Sequence, residues 1–164
     1  MSTMESEVFS APDDDAVESA TDGHPTLLYA VKQVELAVRA HMDALLRPIN
    51  ITALQYTALT VLRRRDGLSA AELARNSFVT AQTMGEMIST LEKRGLLTRR
   101  IDPANKRRML TSLTDDARSM LADYDAEILA LENRMLGDLS PQQRQAFRHY
   151  LSSCRVALGD TRAH

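Results

Sequence analysis

Over most of the chain apolar residues recur every three to four positions, the spacing of one helix face. The first run is Leu28, Val31, Val38, Met42 and Leu45, with Glu35 as a single polar break. Pro48 ends this helix, because proline lacks the backbone donor and biases the residue before it away from helical geometry. Thr52 opens a second helix. Thr52 and Gln55 have capping-box spacing, in which the Thr oxygen takes an exposed backbone N–H and the Gln side chain reaches back. Leu54, Ala58, Val61 and Leu62 form its stripe, and Asp66-Gly67 stops it. Ser69 and Glu72 repeat the box and open a short helix to about Arg75, followed by a turn at Asn76-Ser77. Thr80 caps the next helix, which runs to about Arg94 and stops at Gly95, the residue best suited to a left-handed C-terminal turn. Met84, Met87, Ile88 and Leu91 are its buried positions. The residues between them are mostly short and polar.

The period then drops to two. Residues 96–101 read as a strand, 102–107 as a loop, and 108–113 as the returning strand, with Met109, Thr111 and Leu113 on one face. Thr114 caps a long helix through about Gly137, with Ala117, Leu121, Tyr124, Ile128, Leu131 and Met135 on one side. Ser140 caps the last helix, with Pro141 at its first position and Gln143 completing the box. Phe147, Tyr150, Leu151, Cys154 and Leu158 give its stripe, where Cys154 reads as a buried structural thiol. The fold class is mainly α with a small β-hairpin.

Charge changes the picture. The 164 residues carry a formal net charge of −2, but the charge is unevenly placed. Residues 1–31 hold seven acids and no Lys or Arg, whereas residues 63–108 hold 11 basic and 5 acidic residues. Residues 1–24 read as a disordered acidic tail, and 25–164 as a single domain. A local basic field steers polyanions toward one face. Five cations, Arg99, Arg100, Lys106, Arg107 and Arg108, crowd the hairpin. No stretch of about 18 apolar residues predicts a membrane span. The single cysteine forbids an internal disulfide and fits a reducing cytoplasm. No catalytic set, cofactor motif or metal-ligand spacing appears; His24, His149 and His164 have no partners at ligand spacing.

Two short capped helices joined by a tight turn and followed by a basic hairpin form a winged helix-turn-helix over residues 51–114. The second helix is narrow and polar outside, which suits a major groove about 12 Å wide. Gln82 pairs with adenine, and the hydroxyls of Thr83, Ser89 and Thr90 with either kind of base edge. Thr80 and the amides after it favour a phosphate. Arg107 suits the narrower minor groove, with Lys106 and Arg108 on flanking phosphates. The DNA-contacting set is therefore Ser69, Thr80, Gln82, Thr83, Glu86, Ser89, Thr90, Arg99, Asn105, Lys106, Arg107 and Arg108. Arg63, Arg64 and Arg65 fit either a phosphate contact or closure of their own helix.

Leu91-Glu92-Lys93-Arg94-Gly95-Leu96, Arg100, Asp102-Pro103, Arg107 and Leu113-Thr114, in that order, resemble the DNA-binding core of MarR-type transcription regulators. The resemblance spans roughly residues 26–158. It implies a cytoplasmic homodimer in which helices of residues 25–47 and 115–160 interlock. Two wings would then straddle a pseudo-palindromic operator in double-stranded DNA, with half-sites about one helical turn apart. It also implies a pocket for a small aromatic or phenolic effector that lowers DNA affinity, with His41, Met42 and Tyr56 near it; repression is expected because a dimer on a promoter most simply occludes polymerase. Two positions depart from the pattern. Relatives often carry Asp where this chain has Asn105, which would hold the wing loop more firmly. They often carry Arg where it has Glu86, a carboxylate that phosphates repel but a cytosine amino group can satisfy. Two alternatives stay open: a constitutive DNA binder without effector, and a winged-helix module that binds protein.

Overall fold

The computed structural model describes residues 25–159, so the acidic tail at 1–24, with His24, and the end at 160–164, with His164, lie outside it. Helix α1 is Leu27–Leu46, followed by a 3₁₀ turn, Arg47–Ile49, that contains Pro48. Then come α2 (Ala53–Arg64), α3 (Ala70–Ser77), α4 (Ala81–Lys93), β1 (Leu97–Asp102), β2 (Asn105–Leu113), α5 (Asp115–Met135) and α6 (Pro141–Gly159).

The chain divides into two compact units at Ala37. The described part of the first is the opening of α1. Leu27, Leu28, Tyr29, Val31, Val34 and Leu36 are exposed there. Lys32 and Glu35 pair at 2.8 Å.

The second unit, from Val38, holds the core. Leu46, Leu59, Leu62, Leu73, Met84, Leu91 and Ala117 are sealed completely from solvent. The four positions expected inside α4, Met84, Met87, Ile88 and Leu91, are all buried. Thr52 and Gln55 form the expected box on α2, and Ser69 and Glu72 that on α3. Ser140 and Gln143 exchange hydrogen bonds at the start of α6.

Five expectations are corrected. The buried side of α2 is Tyr56, Ala58, Leu59 and Leu62, while Leu54 and Val61 are half-buried. Packed against α3, β2 and α5, this helix is covered over a wider arc than one stripe. Helix α3 runs on to Ser77, because the reversal is made by Phe78 at a positive φ of 56°. The stretch read as a loop at 102–107 is a tight turn. Asp102 pairs with Asn105, and β2 already begins there. Met109 is exposed, unlike its expected companions Thr111 and Leu113. Cys154 is exposed, and α6 has no buried residue in the protomer.

Candidate nucleic-acid interface

Helix α4 starts from Thr80, whose hydroxyl accepts from the Thr83 amide at 3.2 Å. Its core face leaves Gln82, Thr83, Glu86 and Thr90 exposed, with Ser89 half-buried. Gln82 Nε2 donates to Glu86 Oε1 at 3.4 Å, and Thr90 Oγ1 donates to the Glu86 carbonyl at 3.0 Å. The far end of α4 is fixed by Arg94. Its guanidinium donates to the carbonyls of Ile49 at 2.7 Å and Asn50 at 2.6 Å. Those carbonyls belong to a turn whose Asn50 is left-handed.

The wing is held in three ways. Leu68 forms a bridge to Thr111, its amide donating at 3.2 Å and its carbonyl accepting at 2.7 Å, so the segment before α3 acts as a short third strand. Asp66 accepts from the Leu113 amide and from Arg118, both at 3.1 Å, which ties the end of β2 to α5. At the tip, Asp102 Oδ1 accepts from the Ala104 amide at 2.9 Å and Asn105 Oδ1 from the Arg107 amide at 3.1 Å. Asn105 therefore holds the turn through its amide oxygen, and the neutral side chain serves where relatives were expected to use Asp.

The five wing cations do not behave alike: Arg100, on β1, is exposed, and the other four fall into two pairs. Arg99 reaches back to Glu92 on α4, with Nε 3.0 Å from the carboxylate. That bond lowers the Glu92 pKa and raises that of Arg99. Arg108 donates to Glu72 on α3, and its other terminal nitrogen lies 3.8 Å from Asp102. One oxygen of Glu72 also accepts from the Ser69 amide and hydroxyl, each at 2.9 Å. These bonds bring the Glu72 pKa from 4.5 down to about 2, the Ser69 backbone bond first and the Arg108 bond next. Ser69, expected to meet DNA, is thus occupied in its own cap. Lys106 and Arg107 are exposed at the tip with no acidic partner among the described residues. Arg63 pairs with Asp125 on α5, at 2.8 and 3.1 Å, which favours its structural reading; Arg64 and Arg65 are exposed.

The expected pocket residues separate. His41 lines a cleft of about 440 Å³ with Ala44, Leu45, Glu127, Ala130, Leu131 and Arg134. Met42 packs on the core instead, and Tyr56 is buried within it. Among the described residues no group of acids, His and Cys is arranged to hold a metal, and no helix is long and apolar enough to cross a membrane. The acids Glu72, Glu92 and Asp66 were missed as wing anchors, and Arg94 as the anchor of α4. Local sequence carries no sign of them, since their partners stand 7 to 52 residues away.

A capped helix with a polar outer face, backed by a core and flanked by a cationic hairpin, defines a winged helix-turn-helix DNA-binding regulator. Residues 51–109 match the sequence profile of the MarR family. The HTH-type transcriptional repressor Rv2887 of Mycobacterium tuberculosis is 30% identical over 123 residues, 75% of this chain and 88% of that protein. The transcriptional repressor CouR, solved bound to a 23-mer DNA duplex, is 27% identical. It superposes with a TM-score of 0.69 over 79% of this chain and 92% of its own. BpsR of Bordetella bronchiseptica, whose DNA binding is regulated by 6-hydroxynicotinic acid, is 22% identical with a TM-score of 0.70, over 79% and 92% of the two chains. The chain belongs to the MarR family; it is a DNA-binding transcription regulator and not an enzyme.

Proposed function

We propose that this regulator is a sequence-specific repressor that acts as a homodimer on a pseudo-palindromic operator. Helix α4 enters the major groove, and the wing tip brings Arg107 to the minor groove with Lys106 on phosphate. The observation that carries this reading is the contrast among the wing cations. Arg99 and Arg108 are engaged by acids, while Lys106 and Arg107 at the tip are exposed and free of acidic partners among the described residues. A cation that meets phosphate must not already be neutralised. Repression follows from occlusion of a promoter by a bound dimer, and CouR and the M. tuberculosis relative are both repressors.

Dimerisation is supported by apolar surface that the protomer leaves open. Tyr150, Leu151, Val156 and Leu158 on α6 and Leu129 and Met135 on α5 are exposed, as are the apolar residues that open α1. Exposed patches of this kind mark interaction surfaces. An effector is supported by the cleft beside His41, whose volume falls in the range of small-molecule sites. Leu45 and Leu131 offer apolar walls and Arg134 a cation for an acid group, a chemistry that fits an aromatic acid such as the one that regulates BpsR.

Fluorescence anisotropy on the chain's own upstream DNA, against scrambled duplex and across a salt series, tests the interface. Arg107→Ala weakens binding to the upstream DNA, and Lys106→Ala, which loses a phosphate contact, reduces the slope of log affinity against log salt by about one. Unchanged affinity in Arg107→Ala would remove Arg107 from the interface, and an unchanged slope in Lys106→Ala would remove Lys106. Light scattering on the same samples reads the dimer, and release of the duplex by added aromatic acids reads the effector.

A further inference from the structure

We propose that Glu86 reads a cytosine, accepting from its N4 amino group in the major groove, and that Gly85 beside it is the relief that lets the base edge come close. The proposal rests on α4 being the element that enters the groove. It begins with where the polar groups of that helix spend their hydrogen bonds. The Thr80 hydroxyl accepts from the Thr83 amide and donates to the Thr83 hydroxyl at 2.9 Å, while Thr90 turns back to the helix backbone. These hydroxyls stabilise α4 itself.

Glu86 differs. No Lys or Arg stands between Thr80 and Glu92. Glu92 is answered by Arg99, and among the described residues no cation pairs with Glu86, so its charge stands uncompensated on the outer face. Gln82 donates to one of its oxygens, at 3.4 Å, and as a neutral amide it orients the carboxylate without cancelling its charge. Among the described residues the second oxygen has no donor, and it remains to accept. A carboxylate only accepts, and phosphates repel it. Among major-groove edges, adenine sets its N7 acceptor beside its amino group, whereas cytosine offers an amino group with no acceptor on its own edge. Cytosine therefore fits.

Gln82, Gly85, Glu86 and Ser89 fall at helical positions i, i+3, i+4 and i+7, one face. Gly85 sits in the middle of the helix, where glycine is less stable than alanine. Packing does not require it: a Cβ built there meets nothing within 4 Å. What glycine gives at this position is access, since without a Cβ a base edge can reach the helix backbone.

The test is selection of binding sites from random duplexes by wild type, Glu86→Gln and Glu86→Ala, with melting and binding of Gly85→Ala. Wild type is expected to enrich one C·G pair, at the same place in each half-site. Glu86→Gln loses that preference by roughly fivefold or more, or moves it toward adenine, with the other positions unchanged. Gly85→Ala melts higher than wild type and binds the selected site more weakly. If Glu86→Ala enriches the same cytosine as wild type, the base-reading role is overturned while the groove reading stands. If Gly85→Ala binds as wild type does, the relief is overturned. If wild type enriches no sequence, the groove reading fails and this proposal fails with it.

Discussion

Leu91→Ala lowers the stability of the fold by about 3–4 kcal/mol, in the middle of the range for truncating a sealed leucine. Leu91 is 0% exposed and lies on the inner side of α4. Its loss removes the transfer energy of the deleted atoms. It also leaves a cavity between α4 and the rest of the core, which relaxes only in part. A domain of this size has a total stability of about 5–15 kcal/mol, so the variant stays folded at room temperature with a much smaller reserve. Its melting temperature falls by about 10 °C for a chain of this length. Urea and thermal unfolding at one fixed protein concentration measure this, because association makes the midpoint depend on concentration. A loss below about 1 kcal/mol would mean that Leu91 does not anchor α4 as the packing requires.

Glu72→Ala costs about 2 kcal/mol, more than an ordinary lost cap. Glu72 gathers three donors on one oxygen: the Ser69 amide, the Ser69 hydroxyl and Arg108. Removing the carboxylate opens the first turn of α3 and releases the base of the wing from that helix. Glu72→Gln separates the two effects, because its amide oxygen still accepts from Ser69 while its charge is gone. The carboxylate pKa is about 2 in the folded chain against 4.5 ordinarily. A group depressed in this way contributes its full stability above pH 4.5 and loses it as pH falls toward 2. The stability gap between wild type and Glu72→Gln is therefore constant from neutral pH down to about pH 5.5 and narrows below pH 4.5. A gap unchanged between pH 7 and pH 3 would show that the charge of Glu72 plays no part.

What the sequence disclosed was what the backbone decides locally. Both capping boxes at Thr52 and Ser69 needed only two residues three apart, and both formed. The inner face of α4 followed from its period, and Gly95 took the left-handed turn that ends it, with φ 72°. The misses came from two sources. Some were local but hidden in side-chain bonds: the Asx contacts of Asp102 and Asn105 draw the strands up to a tight turn that composition alone reads as a loop. Phe78 likewise ends α3 in a left-handed conformation that a bulky aromatic does not advertise. The others were long-range. Arg99 and Arg108 looked alike with Lys106 and Arg107 along the chain, and only folding brought Glu92 and Glu72 against the first two. The charge of the hairpin was legible, and its division into anchors and free cations was not. The exposure of Cys154 belongs to the same class, because an apolar stripe does not say whether its cover comes from its own chain.

The two bonds from Arg94 to the carbonyls of Ile49 and Asn50 pin the C-terminal end of α4 to the corner after α1, while its inner face rests on the core. Its 13 residues reach about 20 Å from that fixed point. Tilting such an arm by about 10° carries the Thr80 end roughly 3.4 Å, the rise of one base along a DNA strand. On the groove reading proposed above, a small change of angle at the corner that follows α1 would therefore be magnified into a full step of register at the far end of α4.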